Sequence, residues 1–342
     1  MRYIGIIILL DLCLILLLIT GCMVNTVNAE IVIGNTENQE YFNQSSNNFH
    51  NFSTVSVQES TEELETENSQ KWSGLGMGIF YIDESYIDTI LANGFEEIRI
   101  DIPDYQNTTV LNNSKATVIN AVAKGAKVIW GVSSNALNNA DYTITAENWP
   151  TFRQVILDAA QWAQDNGVFE FQLGNEEELH VDGITITADD IITNLKSVAT
   201  DVKAIFTNGN VSYSCWGGSI DDWITAGKGD IDILASNIYK GGEDYYDDGW
   251  ETLIANLINA FGSDGTYITE FNLSWSSLND YSTDEAVQAT ALTEMIEYIK
   301  ASGMTRALYF AWRDDLGNCF GVVKEDGTYR QLWNQALLNT GP

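Results

Sequence analysis

The chain has 342 residues, of which 45% are hydrophobic and 11% aromatic, enough for one large core or two small ones. A formal net charge of -32, with 16 Lys plus Arg against 48 Asp plus Glu, argues against nucleic acid and against anionic polysaccharides as partners, because binding such polyanions needs clustered basic residues. Only two histidines, His50 and His180, occur, so a His-rich metal site is excluded and a Ser-His-Asp arrangement would depend on His180 alone. The acidity itself fits the solubility of an exported protein.

Arg2 and the apolar run from Ile4 to Ile19 read as an export signal, with Asp11 an unusual charge inside it. Three fates are open for this segment. Leu18-Ile-Thr-Gly-Cys22 resembles a lipoprotein signal with Cys22 as the lipidated residue, Val27-Asn-Ala29 offers a competing cleavage site, and the run is close to the minimum for a retained anchor. Residues 1–29 are accordingly assigned to a signal or anchor. Residues 30–71 are rich in Asn, Ser, Thr, Gln and Glu without sustained periodicity, the composition of a disordered tether.

From Trp72 the pattern alternates. Short β-branched or aromatic runs predict strands at Gly76 to Tyr81, Glu97 to Ile102, Lys127 to Ser133, Phe169 to Gly174, Val211 to Trp216, Ile231 to Ile238, Thr266 to Glu270 and Ala307 to Trp312. Apolar residues spaced by three and four predict helices at Ser85 to Ala92, Lys115 to Ala123, Thr151 to Gln164, Asp189 to Ile205, Trp250 to Ala260 and Glu285 to Ala301, with shorter ones at Ser219 to Thr225 and Gln331 to Leu338. Eight strands, each followed by a helix over residues 72–342, are the pattern of a single (β/α)8 TIM barrel. The alternative, a doubly wound open sheet, places its Gly-rich loop after the first strand, whereas Gly74-Leu-Gly-Met-Gly78 lies before or within it.

Such barrels carry their sites at the C-terminal ends of the strands. Those ends offer Arg99, Trp130, Asn175, Glu176, Trp216, Tyr239, Glu270 and Trp312. Glu176 and Glu270 supply the two carboxylates that glycosidic cleavage needs, one to protonate the leaving oxygen and one to attack the anomeric carbon. With Asn175-Glu176 at the fourth strand and Glu270 at the seventh, the chain resembles the retaining glycoside hydrolases of clan A, the 4/7 barrels, from Trp72 to its C-terminus. The resemblance implies Glu176 as acid/base and Glu270 as nucleophile. Arg99, Asn175, Tyr239 and Trp312 match further clan positions, and no metal or organic cofactor is implied. Two departures leave the family within the clan open. Asn237 stands where many members have His, and Glu176 is followed by Glu177 and Glu178 rather than Pro.

Arg99 beside Glu270 would hold that carboxylate ionised, and Asn175 would bond a sugar 2-hydroxyl. Trp312 would offer a stacking face; Trp130 and Trp216 read equally as sugar platforms or barrel packing. Glu177 and Glu178 read as solvated loop or helix-entry acids. The expected activity is cleavage of a neutral β-linked glycan by double displacement, with short loops favouring an internally cutting enzyme at the cell surface or in the medium. The alternatives are a transglycosylase and a non-catalytic carbohydrate-binding protein on the same scaffold. Cys215, at the end of the fifth strand, and Cys319, in the loop after the eighth, belong to parts well apart around a closed barrel, so two free thiols are expected.

Overall fold

The computed structural model describes residues 72–341 apart from 102–104, 106, 138–141, 241–248, 274–284 and 315–320. The expected export signal with Cys22, the expected tether with His50, and Cys319 lie outside the described residues.

Eight parallel strands close into a barrel in chain order, β8 pairing back onto β1. They are β1 Leu75–Ile79, β2 Glu97–Ile100, β3 Lys127–Gly131, β4 Glu170–Asn175, β5 Asn210–Trp216, β6 Ile233–Lys240, β7 Ile268–Leu273 and β8 Ala307–Tyr309. The helices that follow them are α1 Ile87–Ala92, α2 Thr108–Ala123, α3 Trp149–Asp165, α4 Ala188–Ile205, α5 Ile220–Ala226, α6 Trp250–Phe261, α7 Glu285–Ala301 and α8 Gln331–Thr340. The TIM-barrel expectation therefore holds, and the open-sheet alternative does not. Helix α2 starts seven residues earlier than its apolar spacing implies. The cause is a cap: the Asn107 side chain accepts from Thr109 N–H at 3.1 Å and Val110 N–H at 3.2 Å, satisfying two of the free amides of the first turn.

Strand alternation sorts side chains into two populations. Met77, Ile98, Val128, Trp130, Phe171, Leu234, Ile268 and Tyr309 point outward into one continuous cluster with the helices. Ile129, Ile233, Ala235, Tyr267 and Leu308 form a separate cluster inside the barrel. Below them lies a polar floor. Arg306 donates to Glu97 at 2.7 Å and to the fully buried Glu170 at 2.8 Å, Tyr267 donates to Glu170 at 2.6 Å, and the guanidinium sits 4.1 Å over the Tyr267 ring.

Two strands break the alternation, and both carry site residues. In β7, Ile268 and Phe271 both face outward, so the two residues between them share the inner side, with a shift in the β7–β8 register at that point. In β4 the register with β5 shifts between Gln172 and Asn175. Such irregularities re-aim a side chain without changing the strand's path, and here they turn Glu270 and Asn175 into the barrel mouth.

Candidate active site

Arg99 is the inward residue of β2 between Ile98 and Ile100, and it is 1% exposed. Its Nε donates to Gln172 Oε1 at 2.8 Å, Nη1 to Glu270 Oε1 at 2.7 Å and Nη2 to Asn175 Oδ1 at 3.0 Å. One guanidinium thus links β2 to β4 and β7. The other oxygen of Glu270 accepts from the Tyr239 hydroxyl at 2.6 Å. Burial and then the charge of Glu270 push the Tyr239 phenol well above its ordinary value, which keeps it a donor. Both oxygens of Glu270 are therefore engaged by donors, a setting that suits the acceptor-only carboxylate.

Glu176 is held differently. It is the residue after β4, half-buried, with a left-handed backbone at φ 57° and ψ 35° that non-glycine residues seldom adopt. Its N–H donates to the Ser214 carbonyl at 2.8 Å. Burial, and then the charge of Glu270, raise its pKa to about 8, against the opposing pull of a hydrogen bond from Asn237 and of Arg99. Asn237 also donates to Asn175 Oδ1 at 3.3 Å, and its own Oδ1 accepts from Ser214 at 2.9 Å. Two carboxylates in one mouth are thus placed in contrasting environments, one engaged by donors on both oxygens and one favouring its proton.

The structure brings together Arg99, Asn175, Glu176, Tyr239, Asn237 and Glu270, and it corrects the roles of others. Arg99 does lie beside Glu270, as expected, and is too buried to meet a sugar itself. Trp130 faces the helices: fully buried, it lies 4.7 Å from the Trp162 ring and donates its indole N–H to Ser114 at 3.1 Å. It is packing, not a platform. Trp312 is also fully buried, between Tyr86 at 6.3 Å and Tyr329 at 6.1 Å, so it offers no free face for stacking. Strand β8 ends at Tyr309, and the aromatic at the mouth is Phe310, half-buried. A Cβ on the inward Gly78 would come within 3.0 Å of its ring, and its partner Phe80 lies 5.5 Å away. Trp216 does stand half-buried at the end of β5, its indole packed so closely on Gly218 that a Cβ there would lie 2.6 Å from the ring. Glu177 and Glu178 are not solvated: both are buried. Cys215 is a buried free thiol.

Gln172 was not singled out by sequence. Its only signal is parity, since it lies on the inward face of β4, where it orients Arg99 and donates to the Gly174 carbonyl at 2.9 Å.

No protein-family model and no curated protein matches the chain. Solved structures do. A family 5 xyloglucanase from Paenibacillus pabuli superposes with a TM-score of 0.58 at 15% identity, covering 78% of this chain and 98% of that one. The catalytic domain of the major endoglucanase from Xanthomonas campestris pv. campestris gives 0.55 at 17% identity, covering 79% and 93%. A GH113 β-1,4-mannanase gives 0.56 at 12% identity, covering 78% and 98%. At these identities the likeness establishes the shared barrel fold.

Proposed function

We propose that the protein is a retaining glycoside hydrolase of clan A, with Glu270 as nucleophile and Glu176 as acid/base, acting on a neutral β-linked glycan. The observation that carries this reading is the contrast between the two carboxylates at the ends of β4 and β7. Glu270 attacks the anomeric carbon as Glu176 delivers its proton to the departing glycosidic oxygen, leaving a covalent glycosyl-enzyme and an ionised Glu176. Glu176 then takes a proton from water, the resulting oxygen nucleophile displaces Glu270, and both groups return to their starting states. Inverting chemistry would need room for a water between the acids, at about 6.5–9.5 Å rather than about 5–5.5 Å. The xyloglucanase, endoglucanase and β-1,4-mannanase among the structural neighbours support a β-linked polysaccharide as substrate. An open groove and internal cutting extend that reading. Hydrolysis of aryl β-glycosides followed by NMR at early time should give the β-anomer first; the α-anomer, or no turnover across a gluco, manno, galacto and xylo panel, would reject it.

The acid must be protonated to act, so kcat/KM should fall as pH rises through the Glu176 value of about 8. Glu176→Gln should erase that alkaline limb together with most activity on poor leaving groups. A limb that persists in the glutamine variant would assign it to another group.

The tryptophans provide a separate check. Trp216→Ala should raise KM for oligosaccharides about tenfold, the order of one lost aromatic contact face, whereas Trp130→Phe should lower the melting temperature and leave KM unchanged. Equal KM effects from both would contradict their placement.

A further inference from the structure

Glu177 and Glu178 are buried acids directly behind Glu176, and the proposed reaction uses neither. Glu177 folds back over two residues. Its Oε1 accepts the Asn175 N–H at 3.0 Å, and its two oxygens each lie 3.1 Å from the Ser134 N–H, in the single-turn helix Ser134–Ala136 after β3. The space for this fold is created by Gly174, where a Cβ would stand 2.8 Å from Glu177 Cγ and 2.9 Å from the Tyr213 ring. The backbone of Glu177 is held as well. Its N–H donates to the Tyr213 hydroxyl at 2.8 Å, and that hydroxyl donates to Glu178 Oε2 at 2.6 Å. The other oxygen of Glu178 accepts from the Trp223 indole N–H, with the Ser219 hydroxyl at 3.2 Å.

Asn175 is therefore fixed from two sides, its backbone by Glu177 and its side chain by Arg99, while Glu177 is fixed by Tyr213 and, through it, Glu178. Glu176 is the one residue between these pinned neighbours, and it is the one with the left-handed backbone. We propose that Glu177 is a positioning residue for the acid/base Glu176: its buried carboxyl closes the turn that aims Glu176 at the leaving-group oxygen. This rests on the glycosidase reading for its consequence, but the turn itself does not. Burial raises the Glu177 pKa to about 8, so around neutrality its carboxyl resembles an amide in charge as well as in shape. Glutamine should therefore replace it, and leucine should not.

The test is the dependence of rate on leaving group. A misplaced acid harms substrates whose departing oxygen needs a proton and spares those that leave unaided. Glu177→Leu should lower kcat/KM for an alkyl β-glycoside or oligosaccharide about 100-fold while lowering it for a dinitrophenyl glycoside no more than about threefold. Glu177→Gln should restore most of the loss. Equal fractional losses on both substrates, or a glutamine variant as impaired as the leucine one, would overturn the proposal. If Glu177→Leu does not fold, Gly174→Ala, which crowds Glu177 from its seat, should give the same leaving-group signature, and its absence would count against the bracket. If the wild type turns over no glycoside, the glycosidase reading falls and a crystal structure of Gly174→Ala decides the turn. Glu176 leaving its left-handed conformation would uphold the bracket, and an unchanged Glu176 would reject it.

Discussion

Glu270→Ala should cost about 10⁴-fold or more in kcat and, with added azide, return an α-glycosyl azide from a β-aryl substrate. The small anion reaches the anomeric carbon from the face that the nucleophile vacated. The pocket favours it further, because Arg99 stays charged and buried after its carboxylate is removed. Gln172 and Asn175 still bond that guanidinium, so the barrel should hold at a reduced melting temperature. Glu176→Ala should fail at a different point. With a good leaving group the glycosyl-enzyme still forms, then accumulates for want of a base to activate water, and azide rescues the second step to give the β-glycosyl azide. Product anomers assigned by NMR check both. The same anomer from the two variants, or full activity in either, would end the assignment of roles.

Arg306→Met should destabilise the protein by about 3–5 kcal/mol, the range for breaking a buried ion pair from one side. The substitution keeps the apolar stem and removes the cation from Glu170, which is 0% exposed, and from Glu97, whose side chain is 16% exposed. Chemical denaturation at neutral pH measures the loss. Adding Glu170→Gln should recover part of it, since the second change removes a stranded charge. The surface pair Lys127–Glu96, with side chains 46% and 73% exposed, sets the contrast and should be worth about 0–1 kcal/mol. A loss below about 1 kcal/mol for Arg306→Met would mean that water reaches the floor.

The barrel was legible because eight short strands and eight amphipathic helices alternate without a long interruption, and the two carboxylates at the mouth because their residue types fall at strand ends. What sequence could not supply was direction. Strands buried on both faces are apolar throughout, so Trp130 and Ile129 look alike in sequence although one meets helices and the other the barrel interior. At Glu270 and Asn175, parity is reset by the register shifts, which leave no compositional trace. Phe310 was missed for a related reason: apolar residues run on to Trp312 after the β8 ladder has ended at Tyr309. Glu177 and Glu178 ran against expectation because consecutive acids in an acidic chain read as solvated. Their donors Ser134, Tyr213, Ser219 and Trp223 come from two other stretches of the sequence.

Arg99 is bonded to protein acceptors through all three nitrogens and its side chain is 1% exposed, so on the glycosidase reading this cation braces Glu270 and is shielded from the sugar. On the same reading selection would fall to half-buried residues at the rim, such as Trp216 and Phe310. The chemistry and the choice of substrate would then be carried by separate parts of the molecule, free to diversify at different rates. Such a division would make loop grafting, rather than substitution in the inner layer, the route to altering what the protein accepts.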